Sequence, residues 1–337
     1  MKIKFIVDSW YAKFLTYDGC AFTTWLESQK LLSCVKPLIT RYGIFRGLVL
    51  YISARNKDCV VLGCDDKGFW TFLILKALLK PPVKCFVLEF IRRTPFNPIK
   101  KFLYPFLLQL VIIPVVRNSV NKAQVMTLWE KNYYAVMFGV NNDTFVHIPF
   151  PLNYRTEGLS KVIRNKNVII SSGRVGCDWE TLVDAARLLP KYKFIIVHSK
   201  KDAVRLRRLN IPSNCKLLCN ITQSEHNALL ESATCFVMAL LETFGSTGHV
   251  RLSHAVHYKI PVIITDVMAI REYVIDNETA ILVPQRNIIA LRDAVDRLMS
   301  DEMLQNNIAN NSERESLKWT REQYFQRLSK VIEETAR

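Results

Sequence analysis

The chain has 337 residues and a mass of 39.0 kDa, room for about two domains of ~150 residues each. Half of its residues are hydrophobic and 23% are charged, which excludes an intrinsically disordered chain. Lys and Arg outnumber Asp and Glu by 46 to 30, a net charge of +16, and that excess points to acidic partners such as phosphates or anionic lipid. Residues 1–150 hold 20 basic and 9 acidic residues, a balance of +11, and the remainder hold 26 and 21, a balance of +5. The first half is therefore the one suited to a large anionic surface. The acidic residues are interspersed, and neither an aromatic–basic RNA motif nor zinc-finger spacing occurs, so nucleic acid is not the expected partner.

Nine cysteines are spread without a framework. The close pairs, Cys59 with Cys64 and Cys215 with Cys219, are not C-x-x-C and have no His at ligand spacing, so free thiols in a reducing compartment are expected, with no metal. The apolar start, stopped by Asp8, is too short for a signal peptide. The most apolar window, 102–116, falls short of the ~20 residues that span a bilayer, so a surface-bound or freely dissolved protein without a membrane span is expected.

In chain order, residues 2–7 read as a strand, 23–32 as a helix, 58–63 as a strand, 68–79 as a helix stopped by Pro81 and Pro82, and 83–89 as a strand. A long apolar helical region covers 97–120, followed by a strand at 123–128, a helix at 130–138 and a strand at 144–148. The second half repeats this grammar. Strands are expected at 167–171, 193–198, 215–218, 234–238, 262–265 and 280–283, and helices at 179–189, 224–232, 247–258, 288–299 and 302–312. A last helix covers 319–334. Strands alternating with helices imply parallel sheets covered on both faces. Two such units imply an α/β chain of two doubly wound domains, whose ligands bind at the carboxyl ends of the strands. Pro149 and Pro151 mark the boundary.

The stretch that carries chemistry begins at the buried strand ending in Met238. It leads into Glu242-Thr243-Phe244-Gly245-Ser246-Thr247-Gly248-His249, then a helix, then Ile260-Pro261-Val262-Ile263. A glycine-containing loop between a strand and a helix start presents free N–H groups and the positive end of a helix dipole, a site for an anion. Gly245 and Gly248 permit close backbone approach, and Ser246, Thr247 and His249 add donors. The expected ligand is a phosphate or diphosphate.

These residues resemble the donor-site signature of GT-B glycosyltransferases of the family-four (group 1) type, in the variant with Ser-x-Gly-Gln before the helix. Ser171-Ser172-Gly173-Arg174 is similar to the family's Gly-Arg element. Glu272-Tyr273-Val274 and Ala280-Ile281-Leu282-Val283-Pro284 are similar to its later segment, and Val146 to Pro151 to the exit from its first domain. The resemblance implies two Rossmann-like domains facing across a cleft. The acceptor domain would cover 1–150, the nucleotide-sugar domain 151–318, and a helix at 319–337 would cross back to the first domain. It implies a retaining, metal-independent transfer from a UDP- or GDP-linked sugar, with no cofactor. The acceptor would be a glycan or lipid-linked molecule of bacterial surface polysaccharide or lipopolysaccharide synthesis.

By position, Arg174 would neutralise the donor diphosphate, with Gly173 and the backbone around Ser246–His249 holding its oxygens, and Glu242 would bond the sugar. The family's second Glu falls on Val250 or, counted back from Pro261, on His254. The family's Lys after Gly-Arg is absent, with Lys200, Lys201 and Arg205 as substitutes. On the acceptor side stand Asp18 and Gly19 after the first strand, and Glu89 after a later one; no catalytic base is assigned. Arg92, Arg93, Lys100 and Lys101 flank the apolar 102–116 window and read as a patch for an anionic membrane surface. That patch implies a cytoplasmic enzyme peripheral on the inner face of the membrane. The alternatives are a sugar-nucleotide epimerase of the same fold and a catalytically silent glycan-binding subunit.

Overall fold

The structure is a computed structural model that describes residues 4–9, 19–29, 35–64, 66–91, 98–153, 164–243 and 245–337. It consists of two units, Met1–Pro149 with Phe325–Arg337, and Phe150–Tyr324.

The first unit is built on six parallel strands: β1 (Phe5–Asp8), β2 (Gly19–Ala21), β3 (Cys59–Gly63), β4 (Lys84–Leu88), β5 (Lys122–Val125) and β6 (Phe145–His147), in the order β2-β1-β3-β4-β5-β6. β1 and β3 are buried along their whole length, which is why they read as continuous apolar runs, as strands covered on both faces must. Its helices are α1 (Phe22–Ser28), α2 (Lys36–Arg41), α3 (Gly43–Ala54), α4 (Phe69–Leu79), α5 (Pro98–Leu107), α6 (Ile113–Ser119) and α7 (Leu128–Phe138). The sequence reading assigns no element to 33–57, where the structure forms α2 and α3. The sequence of α3, Gly-Ile-Phe-Arg-Gly-Leu-Val-Leu-Tyr-Ile-Ser-Ala, has two glycines, several β-branched residues and no side-chain cap, so local propensity is silent there and packing against the sheet decides. Phe90, Tyr134, Phe138 and Phe145 close the far end of this core, with ring centroids 5.3–6.2 Å apart.

α5 and α6 are joined by a π-helical turn, Leu108–Ile112, in a region that also holds Pro105 and Pro114; such irregularities mark inserted backbone. Residues Phe102–Ser119 are long and apolar enough to cross a membrane by length and composition, with a mean hydropathy of 1.4. The α6 half, however, buries Ile113, Val115 and Val116 in the core of the unit.

The second unit has six parallel strands: β7 (Asn165–Gly173), β8 (Lys193–His198), β9 (Cys215–Cys219), β10 (Ala233–Met238), β11 (Val262–Thr265) and β12 (Ile281–Val283), in the order β12-β11-β10-β7-β8-β9. The helices are α8 (Trp179–Arg187), α9 (Lys200–Leu206), α10 (Gln223–Ser232), α11 (His249–His257), α12 (Ile288–Ser300) and α13 (Glu302–Ser316); α14 (Arg321–Ala336) starts in this unit, and its residues from Phe325 onward belong to the first. The chain runs outward from β7 to β9 and returns to lay β10 on the other side of β7. That reversal is the topological switch point of a doubly wound sheet, and it opens a crevice between the carboxyl ends of β7 and β10.

Candidate functional site

The loops that leave β7 and β10 lie against each other. Leu241 donates its N–H to the Gly176 carbonyl at 2.8 Å, Asp178 donates to the Ala239 carbonyl at 3.0 Å, and Cys177 bridges Leu240. Gly176 has φ +64°, and a Cβ there would stand 3.1 Å from the Thr243 methyl. Only a residue without a side chain combines that backbone with that approach. Gly173 is as tightly placed: a Cβ would meet an Arg251 guanidinium nitrogen at 2.6 Å.

Arg251 projects from α11 back to the first loop. It donates to the carbonyls of Ser172 at 3.1 Å and Val175 at 3.3 Å, and to the Cys177 sulfur at 3.5 Å. A charged side chain so bound holds the 172–177 loop against the start of α11. Arg174, at the tip of that loop, is exposed and has no hydrogen bond or ion pair among the described residues. Its guanidinium is available to an anion without breaking anything.

α11 starts at His249 behind Gly248, whose φ is +93°, and no side chain caps it. Its first N–H groups are therefore unclaimed by a side-chain cap, and the helix starts beside the loop after β7, to which Arg251 ties it; such a helix end and its dipole favour negative charge. Gly245, Ser246 and Thr247 form the approach. Ser246 is buried, and the buried Thr247 hydroxyl has no partner among the described residues.

The Glu242 carboxylate is fixed rather than free. One oxygen accepts from the Met268 N–H at 2.9 Å and the other from the Thr243 N–H at 3.1 Å, while the Glu242 N–H donates to Gln285 at 3.0 Å. Two backbone donors thus orient the carboxylate.

His249 is placed differently from its expected role. Its ring is buried between Phe150, 6.0 Å away, and Tyr273, 4.4 Å away between centroids. Burial pushes it down to about 4, with the Arg251 charge adding to the shift. The Tyr273 hydroxyl accepts from the Phe150 N–H at 2.9 Å. This aromatic packing makes the His249 side chain a core group. Only its backbone N–H, at the start of α11, is left as a candidate anion contact.

His254 lies one helical turn further on, with its ring centroid 5.9 Å from that of His226 on α10. His226 Nε2 is 3.0 Å from the Ser172 hydroxyl, at the end of β7. Burial, then the neighbouring His226 and His257, push His254 down to about 4, and burial and the Arg174 charge lower His226. Both rings are neutral at pH 7, so the crevice keeps its positive potential from Arg174, Arg251 and the helix end. Of the proposed lysine substitutes, Lys200 and Lys201 are exposed at the start of α9. Arg205 is occupied: it pairs with Glu180 and donates to the Cys177 carbonyl at 3.0 Å.

In the first unit, Gly19 opens β2 in register with Phe5. Glu89 follows β4 in a left-handed conformation, φ +49°, and its N–H donates to Gln124 at 3.2 Å. A non-glycine residue held there at a strand end is an unusual placement of a carboxylate. At the end of β1, buried Asp8 forms a two-pronged pair with Arg46. Burial raises the Asp8 carboxyl and the Arg46 pairing opposes that rise. Asp18, Arg92 and Arg93 lie outside the described residues, as do the side chains of Lys100 and Lys101 on α5. Among the described residues no group of three or more His, Cys, Asp or Glu is arranged to hold a metal ion.

The roles of Arg251, Ser172, His226 and Gln285 are missed by sequence reasoning. Nothing in their own neighbourhoods signals them, because each acts through a contact between elements distant in the chain.

Residues 160–315 match the sequence model of the glycosyl transferases group 1 family. No curated protein matches the chain in sequence. Among solved structures, the chain is similar to HepE of Anabaena in complex with UDP, with a TM-score of 0.71 and 14% identity over 99% of this chain and 100% of that one. The same protein was solved with UDP-glucose. A glycosyltransferase from Rickettsia africae gives a TM-score of 0.66 at 15% identity over 99% and 98% of the two chains. TarM of S. aureus, solved with UDP and α-GlcNAc-glycerol, gives 0.65 at 17% over 84% and 58%.

Proposed function

We propose that this chain is a group 1 glycosyltransferase of the GT-B fold and that it transfers a sugar with retention of configuration from a nucleoside diphosphate donor to a glycan or lipid-linked acceptor. The observation that carries this reading is the uncapped start of α11, set in the β7–β10 crevice beside the unpaired Arg174. As the sugar–phosphate bond breaks, charge develops on the diphosphate. The α11 N–H groups and Arg174 already face that position, so they stabilise the leaving group with little reorganisation and without a metal ion. Arg251 acts one step back, holding the loop that carries Arg174. Glu242, oriented by two backbone donors, accepts from hydroxyls of the transferred sugar. His254 and His226 take the nucleoside side of the site.

UDP is the favoured nucleotide, in keeping with the UDP and UDP-glucose complexes of the similar HepE, with GDP as the competitor. We assign the donor to the second unit and the acceptor to the first, with Gly19 and Glu89 on the acceptor side. The basic and apolar 92–116 segment supports a place at the inner face of the cytoplasmic membrane, in the synthesis of a bacterial surface polysaccharide or lipopolysaccharide. His254, standing where the family carries a second Glu, favours a second reading in which the chain binds donor or glycan without transferring.

The test is calorimetric titration with UDP, GDP, CMP and ADP, followed by incubation with the corresponding sugar conjugates and NMR of the anomeric configuration of the product. Selective binding of one nucleoside diphosphate and a product of unchanged configuration are expected. Binding without turnover, with donor and a range of lipid-linked acceptors, establishes the second reading instead.

A further inference from the structure

Three segments of the first unit, residues 28–57, 67–88 and 90–129, contain no Asp or Glu and carry 16 basic residues between them. They include α2 to α6. Each of the principal helices also turns an apolar stripe outward. On α3 it is Ile44, Leu48 and Ile52, on α4 Trp70, Ile74 and Leu78, and on α5 and the π-turn Phe102, Phe106 and Leu110. In every case the spacing is four residues, so each set forms one row along one helix side. The exposures reach 72% at Ile44 and Leu78 and 76% at Leu110, in a chain whose buried positions are well supplied with apolar residues.

The three rows share one face. The connections from β2 to β3, β4 and β5 all advance the same way across the sheet, and right-handed crossovers put their helices on the same side. α3 and α4 are in backbone contact: a Cβ on Gly47 would stand 2.6 Å from the Gly68 carbonyl. The opposite sides of α3 and α4, including Leu50 and Phe72, are in the core, as is Val116 of α6, while residues 102–111 expose Leu103, Leu107 and Val111 as well as their row. The α3 and α4 rows therefore point away from the sheet, next to one another, and the 102–110 row belongs to an apolar segment exposed on the same face.

We infer that α3, α4 and the α5–α6 helix form a single docking face for an anionic bilayer. This inference rests on the membrane-surface reading above and extends it from the 92–116 segment to α3 and α4. Charge decides the occupant. Arg41, Arg55, Lys67, Lys80, Lys84 and Arg117 are exposed around the apolar rows, with no carboxylate in these segments to offset them. A second copy of the same face would set cations against cations. Anionic headgroups meet the cations while the side chains enter the acyl boundary. The helix 102–119 lies along the interface rather than across it, because its α6 half is committed to the core.

Co-sedimentation of the full chain with phosphatidylcholine vesicles, with and without 30 mol% phosphatidylglycerol, tests this. Binding is expected only to the anionic vesicles and is expected to weaken with salt. The variant Ile44→Ser, Leu48→Ser, Leu78→Ser is expected to lower the partition coefficient at least tenfold. All three sites are exposed, so an unchanged melting curve and unchanged binding of UDP in solution are the control for folding. Brominated lipid is expected to quench wild type more than Trp70→Phe. Should that triple variant bind as wild type while Phe102→Ser, Phe106→Ser, Leu110→Ser does not, the membrane reading stands and the three-helix face is wrong. Wild type that ignores anionic vesicles overturns both and leaves the donor site untouched. A wild-type dimer that the α3–α4 variant dissociates assigns the face to a second copy and overturns the inference.

Discussion

The two units finish their helices in opposite ways. In the second unit, side chains of Asp178, Ser199, Thr222, Asn287 and Asp301 accept from the first-turn N–H groups of α8, α9, α10, α12 and α13, and Thr320 does the same for α14. In the first unit α1, α2, α3 and α4 start without any side-chain cap, and Thr127 of α7 is the exception. Where capping is the habit, α11 is the helix among the described residues that lacks it, and in the proposed function a ligand supplies the missing acceptor. Where capping is absent, helix stability comes from burial of one side and from whatever covers the other. The open ends carry no functional signal there; the acid-free outer face does.

The largest expected effect breaks the contrast at α11. Arg174→Ala removes an exposed cation proposed to face the donor diphosphate and should lower kcat about 10²–10³-fold, as loss of a single stabilising donor does. The side chain is exposed and unpaired, so the melting temperature should not change. Steady-state kinetics with the UDP-sugar identified by calorimetry measures it. A kcat within threefold of wild type would remove Arg174 from the site.

The next effect is in pH. His249 binds its proton only at about 4 in the folded chain because of burial, whereas the unfolded chain binds it below ~6.5. The unfolded state therefore holds more protons between those values, and stability is complete above the window and lost as pH falls through it. The full loss is on the order of 3 kcal/mol. His249→Gln should flatten the fall of melting temperature between pH 6.5 and 4. His254 shifts in the same direction and supplies the slope that remains. An unaltered slope in the variant would mean that the ring is already solvated.

The alternation of strands and helices was legible in the second unit because its caps and turns are written locally: Thr222 with Glu225 forms a capping box, and Gly248 announces α11. The loop between β10 and α11 was legible for the same reason, as a run of residues that leads from a buried strand to a helix start behind Gly248. α2 and α3 were not, since their helicity is imposed by the sheet beneath them. Arg251 was not, because its three acceptors lie more than seventy residues away in the chain. His249 was misassigned for a related reason. It starts α11 as the signature implies, while Phe150 and Tyr273, which enclose its side chain, are distant in sequence.

Gly248→Ala is expected to cost about 1–2 kcal/mol, the strain of placing a Cβ in the left-handed region. The nearest atom to the new Cβ, the Met238 methyl at 3.0 Å, ends a flexible side chain and can yield, so the backbone strain decides. The melting temperature should drop by roughly 2–8 °C for a domain of this size. UDP affinity should fall as well, because the α11 N–H groups are aimed through this residue. A thermal scan with and without UDP separates the two, since bound nucleotide adds stability only while the site is intact.

The smallest effects sharpen the contrast between the units directly. Thr222→Ala opens the best-capped helix of the second unit and should cost about 1 kcal/mol. Ala21 precedes α1 in extended conformation, φ −62° and ψ 133°, without a side-chain hydrogen bond. That is the backbone a capping residue needs, so Ala21→Ser should give back about 0.5–1 kcal/mol to the first unit. Denaturant unfolding followed by hydrogen exchange resolves which unit responds. If helix ends in the first unit are open only because nothing selected for a cap, Ser at 21 stabilises it and leaves vesicle binding alone. A gain confined to the second unit, or none, would mean that the α1 end is already satisfied by other means and that the contrast drawn from its cap is one of sequence and not of energy.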